Sequence, residues 1–186
     1  MTTPAADAAG AAELSRCEKF RDEAFSSNPA VRFMFKHLKR GGCELDRAKV
    51  ECRRCDGQLA GGFQDDGGIL LCSNHLTTQA HASNTLVHEA VHAFDACRAK
   101  VDWGNCVHHA CSEIRAATLS GDCDFTREVL LRRNFGFAKQ FQRCVKRRAE
   151  LSVSLNPYCD PLETKLAVQE AWDSCFNDTA PFEKIP

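Results

Sequence analysis

His88-Glu89-Ala90-Val91-His92 places two imidazoles four residues apart with a carboxylate beside the first. On a helix, positions i and i+4 share one face a turn apart, so both rings reach a single zinc ion while Glu89 projects next to it. Zinc lowers the pKa of a bound water towards neutrality. Glu89 is the residue placed to take a proton from water as it attacks a peptide carbonyl, and to hand it to the leaving amine. The spacing therefore points to a zinc endopeptidase. A catalytic site of this kind keeps three protein ligands and one open position, so a third ligand must come from another segment.

Glu113 is the first candidate for that ligand, because it falls on the next predicted helix and two histidines with a carboxylate form a known zinc peptidase set. His109, one turn earlier, is the alternative: a ligand itself, a group behind the ligand, or a stabiliser of developing negative charge. His108 is a weaker competitor, and Asp95 and Asp102 stay open. Each of these, taken singly, also fits an ordinary polar position on a helix or loop. Cys52-Arg53-Arg54-Cys55 admits metal binding or thiol exchange, but no second pair at matching spacing accompanies it, which favours structural disulfides.

These residues need elements to position them. Apolar Leu86, Val87, Ala90, Val91 and Phe94 give the histidine segment a buried side, and Ser83 or Asn84 is the expected cap of a helix running to about Ala99. Residues 58–63 and 68–72 flank Asp65-Asp66-Gly67-Gly68, a hairpin turn in which Gly takes the positive φ. Zinc peptidases hold substrate against an exposed sheet edge, which residues 68–72 could supply, and an ordinary hairpin packed on the metal helix fits the same residues at least as well. Phe20, Phe25, Val31, Phe33, Met34 and Leu38 suggest helical structure broken at Asn28-Pro29. Residues 101–105 read as a loop and 108–119 as a helix stopped at Ser120-Gly121-Asp122. Helices over 127–151 and 162–176 follow. The resulting expectation is a mainly helical α+β fold of zincin type, with a small antiparallel sheet over the metal helix. Residues 1–15 are expected to form a flexible tail and 16–186 a single domain.

Composition bounds the partners and the compartment. Twenty-four basic residues against twenty-five acidic ones give no overall charge that would draw the molecule to nucleic acid. Arg132, Arg133, Lys139, Arg143, Lys146, Arg147 and Arg148 make the third predicted helix basic, either a solvated face or a dock for anionic lipid. Twelve cysteines spread through 186 residues indicate disulfides and an oxidising compartment. The first fifteen residues nevertheless show neither the basic and apolar regions of a secretory signal nor the arginines of a matrix transit peptide. No apolar run approaches the roughly twenty residues that cross a bilayer.

His88-Glu89-x-Val91-His92-Ala93-Phe94-Asp95, Val101-Asp102-Trp103, residues 110–117 with Cys111, Glu113 and Arg115, and Leu119-Ser120-Gly121-Asp122-Cys123 together resemble the mitochondrial inner-membrane metalloprotease family that processes and helps assemble ATP synthase. Gly61-Gly62-Phe63, residues 67–72 and Ser174-Cys175-Phe176-Asn177-Asp178 extend the resemblance over most of the chain from Cys17 onward. The resemblance implies an intermembrane-space zinc peptidase, peripheral on the inner membrane. It would mature a mitochondrially encoded subunit precursor of the ATP synthase membrane sector, and act separately in assembly. Oxidative import into that compartment would reconcile many cysteines with the lack of a recognisable leader. Two positions depart from the pattern: Cys106 stands where an apolar residue is expected, and Ala90 replaces a bulkier aliphatic side chain. The alternative reading is a disulfide-stapled assembly chaperone or binding protein whose histidine site does not cleave peptides.

Overall fold

The computed structural model of the chain describes residues 4–123 and 140–186, and it divides into two compact units, Met1–Cys97 and Arg98–Pro186. The first unit begins with α1 (Pro4–Ser27) and α2 (Pro29–Arg40). The break between them falls at the expected residues. Pro29 occupies the first turn of α2, where its missing N–H costs nothing, and Asn28 Oδ1 accepts from the amides of Ala30 (3.0 Å) and Val31 (3.1 Å). Val31, Met34 and Leu38 recur on one side of α2 and are fully buried. The start of α1 lies within the stretch expected to be a tail, and Glu13 on that helix pairs with Arg54.

Three short strands follow, β1 (Val50–Arg53), β2 (Gly61–Phe63) and β3 (Ile69–Cys72), in the order β1-β3-β2. The hairpin turn forms as its residues dictate. Gly67 has φ 80°, Gly68 N–H donates to Asp66 Oδ1 at 2.8 Å, and Gln64 N–H donates to Gly68 O at 2.9 Å. The sheet differs from expectation in two ways. It is mixed rather than antiparallel, because β1 pairs in parallel with β3 while β2 pairs antiparallel with it. Consequently β3, the expected edge, is the central strand, and the edges among the described residues belong to β1 and β2. A parallel partner this short leaves almost no local signature, since its register is set by the strand it joins.

Helix α3 (Gln79–Arg98) begins a turn before the expected cap. Thr78 does the capping: its hydroxyl accepts from His81 N–H at 3.2 Å and its carbonyl from Ala82 N–H at 3.0 Å. Ser83 is instead buried inside the helix and bonded to Gln79 Nε2 at 3.2 Å. From Ala82 to Ala93 all but one residue of α3 is buried, so the helix is enclosed rather than laid on a surface. Three disulfides secure this unit: Cys17–Cys52 joins α1 to β1, Cys55–Cys72 joins the loop after β1 to β3, and Cys43–Cys97 ties the end of α2 to the end of α3. Both cysteines of the Cys52-x-x-Cys55 pair are therefore structural.

The second unit is helical: α4 (Cys106–Leu119), α5 (Gln140–Val153) and α6 (Pro161–Phe176), with α4 packed on both others. Asn105 caps α4 and Asp160 caps α6, the latter in a reciprocal box with Glu163. Gly121, φ 78°, turns the chain after α4. Ala110, Ile114, Ala117, Val145, Ala149 and Val168 form the centre of the packing. The expected helix over 127–151 lies partly outside the described residues, as do Arg132, Arg133 and Lys139. Of its basic residues within α5, Lys146 sits over the Trp172 ring at 4.3 Å and Arg148 pairs with Asp122 at 2.5 Å, so neither is a purely solvated charge. Disulfides Cys106–Cys159, Cys111–Cys175 and Cys123–Cys144 hold this unit, which accounts for the unexpected Cys106 and leaves no cysteine free. No helix of the described residues is long and apolar enough to cross a membrane.

Candidate metal centre

His88, Glu89 and His92 occupy consecutive turns of α3, each less than a tenth exposed. The two imidazole rings stand edge to face with centroids 4.8 Å apart. Their ligand nitrogens lie within 4.8 Å of each other, a separation one ion can bridge. Burial of the pair matters chemically, because charge interactions strengthen where water is excluded. The donor type, the helical spacing and the geometry of these two side chains thus fit a bound divalent ion.

Strand β2 presses directly on this helix. A Cβ at Gly61 would come within 2.8 Å of Thr85 Cγ2 and of Leu70 O, and within 3.5 Å of Glu89 Cγ. Only glycine permits the approach to Leu70 O and Thr85, and it brings β2 against the Cγ methylene of Glu89, the residue that the spacing assigns as base. The sequence signal for this was a Gly-Gly pair, which does not by itself distinguish close packing from a turn. Beside β2 lies a cavity of 260 Å³ with mainly apolar walls that include Leu59, Gly62, Phe63 and Leu70.

In the second unit, Glu113 and His109 lie one turn apart on α4, with His109 Nε2 3.4 Å from Glu113 Oε1. Glu113 is buried. His109 is turned towards the inside of its own unit, where its Nδ1 meets Asn156 Nδ2 at 3.0 Å and its ring meets Trp103 edge-on with centroids 6.0 Å apart. Asn156 carried no signal in the sequence. His108 and Asp102 are exposed and serve the loop: Asp102 N–H donates to His108 Nδ1 at 3.3 Å, and Asp102 Oδ1 accepts from Gly104 N–H at 3.0 Å. Asp95 is buried on α3.

Arg115, on α4 with Glu113, is fully buried. It donates to the carbonyls of Asp178 and Ala180 and pairs with Asp178 Oδ1 at 2.8 Å. Arg98 reaches the same carboxylate at 2.5 Å. Burial, the largest single influence on Asp178, pushes its pKa up. The Arg98 hydrogen bond, the Arg115 charge, the Ala180 amide and the Arg98 charge together outweigh it, so the carboxyl stays below its ordinary value. Within the segments 110–117 and 174–178, Arg115 and Asp178 thus have a structural part: the buried arginine anchors residues 178–180 to α4.

Comparison with known proteins narrows the chemistry. A family model described as the Peptidase M76 family matches residues 15–183. The chain is 46% identical over 176 residues to the mitochondrial inner membrane protease atp23 of Aspergillus niger, covering 94% of this chain and 74% of that protein. It is 45% identical over 201 residues to the mitochondrial inner membrane protease ATP23 of Mycosarcoma maydis, covering 93% of this chain and 92% of that one. The Aspergillus clavatus protein of the same name is 45% identical over 177 residues, covering 94% and 75%. No solved structure gives a significant match. By the extent of these matches, the chain belongs to the Peptidase M76 family and is a peptidase.

Proposed function

We propose that this peptidase is a zinc-dependent endopeptidase of zincin type in the mitochondrial intermembrane space, peripheral on the inner membrane, in which residues 16–186 act as one catalytic domain. Its substrate is the precursor of an ATP synthase membrane-sector subunit, and it also assists assembly of that enzyme. The observation that carries the chemistry is the enclosed His88-Glu89-x-x-His92 face of α3 in a chain of a peptidase family. His88 and His92 would hold the ion, and Glu113 would complete the set as third ligand. Zinc supplies electrophilic activation of the scissile carbonyl and of water. Glu89 takes the proton of the attacking water at its carboxylate and returns it to the departing amine nitrogen. Burial of α3 keeps bulk water from that exchange, and β2, pressed on Glu89 through Gly61, offers the substrate a strand edge.

The mitochondrial inner-membrane assignment is supported by the names of the related proteases, the substrate by the sequence resemblance alone, and twelve cysteines joined in six disulfides suit an oxidising compartment. Replacing Glu89 by Gln tests the mechanism. Cleavage of the subunit precursor should fall by roughly 10²–10⁴-fold, the usual contribution of general acid–base catalysis, with zinc content and fold retained. Undiminished cleavage would remove Glu89 from the reaction. A precursor that neither form cleaves, with assembly still supported by both, would make the protein an assembly chaperone.

A further inference from the structure

We propose that Asn156 is a positioning residue for Glu113, acting through His109; the proposal rests on the reading of Glu113 as third zinc ligand. Its starting point is the orientation of one side-chain amide. Asn156 Oδ1 accepts from the main-chain N–H of Tyr158 at 3.1 Å, and Nδ2 donates to the main-chain carbonyl of Trp103 at 2.8 Å. A main-chain N–H only donates and a carbonyl only accepts, so these two contacts fix which end of the amide is nitrogen. That nitrogen is also the atom 3.0 Å from His109 Nδ1. Nδ1 must then be the acceptor, and the proton of a neutral His109 sits on Nε2, the atom that faces Glu113 Oε1 at 3.4 Å.

An imidazole N–H 3.4 Å from a carboxylate oxygen orients that carboxylate from behind. The parts are held from several directions. Asn156 N–H donates to Val153 O at 3.0 Å and Asn156 O accepts from Cys159 N–H at 3.1 Å, while Cys106–Cys159 staples this turn to the first residue of α4. Trp103 supplies both the carbonyl that anchors the amide and a ring edge-on to His109. The unexpected cysteine at position 106 thus secures the loop pair on which the orientation of His109 depends.

The test uses the full chain with native disulfides and two readouts. The first is the ¹⁵N spectrum of the His109 ring at pH 8, assigned with His109→Gln. The Nε2–H tautomer is expected in the wild type, and the Nδ1–H tautomer would overturn the proposal without any variant having to fold. The second is zinc affinity by competition with a chelator. Asn156→Leu and His109→Leu should each weaken zinc by roughly 10–100-fold, the usual effect of losing a group behind a ligand, and the double variant should be no worse than either. His109→Gln, which keeps a donor near the Nε2 position, should stay close to wild type, which a ligand histidine would not. Unchanged affinity in Asn156→Leu with a large loss in Glu113→Gln overturns the positioning role and leaves the ligand reading intact. Unchanged affinity in Glu113→Gln overturns the ligand reading itself.

Discussion

Helices α3 and α4 both carry chemistry-bearing side chains, but they are organised by different physics. On α3 the arrangement is local: His88 and His92 face the same way because 3.6 residues make a turn, and the enclosing core only fixes the helix in place. On α4 the arrangement is tertiary. The orientation of His109 beside Glu113 depends on Asn156 and Trp103, and the helix itself is anchored by Arg115 gripping Asp178 and Ala180. A site built on a helical period survives much sequence change around it. One built on long-range contacts is vulnerable at residues that never touch the reacting atoms.

That contrast can be broken most forcefully at Arg115. Arg115→Met leaves the carbonyls of Asp178 and Ala180 without their guanidinium donor and takes one of two arginines from the Asp178 carboxylate, which keeps Arg98; it should cost about 3 kcal/mol of stability, held to that size because Asp178 is partly exposed. Chemical denaturation of the full chain measures it. A loss below about 1 kcal/mol would mean that α4 does not depend on this anchor. Gly61→Val probes the other helix, where a side chain at 2.8 Å from Leu70 O and Thr85 must displace β2. It should cost roughly 1–3 kcal/mol by overpacking, and should lower cleavage more than stability alone explains. The smallest effect is electrostatic. Asp178 is held below the ordinary carboxylate pKa, so its stabilising contribution is fully present above that value and is lost as pH falls through the lower folded value. The stability gap between wild type and Asp178→Asn should therefore narrow as pH falls from about 5 towards 2. A gap that widens with acid would reverse the assignment.

The same contrast explains what could be read before the structure. Helical spacing at 88–92, the Asn28-Pro29 break and the Asp66-Gly67 turn are short-range, and all three formed as expected, because each residue acts on its own backbone or its next turn. α3 starts a turn before the expected cap because Thr78, Ser83 and Asn84 offer equivalent capping chemistry, and burial, which the sequence does not display, draws Ser83 inside. The parallel β1–β3 pairing, the six disulfide partners and Asn156 were out of reach for one reason: each joins residues far apart in the chain, and nothing local records the partner. Arg115 and Asp178 stood out only within longer distinctive segments, and their roles became plain once their contacts were seen.

The most direct test of the central claim is zinc content per chain, measured on protein purified with its disulfides intact and read beside a free-thiol count. The account predicts one zinc in the wild type, no free thiols, and loss of that zinc in His88→Asn and in His92→Asn. Zinc that survives both substitutions, or a metal-free wild type that still cleaves the precursor, would contradict it.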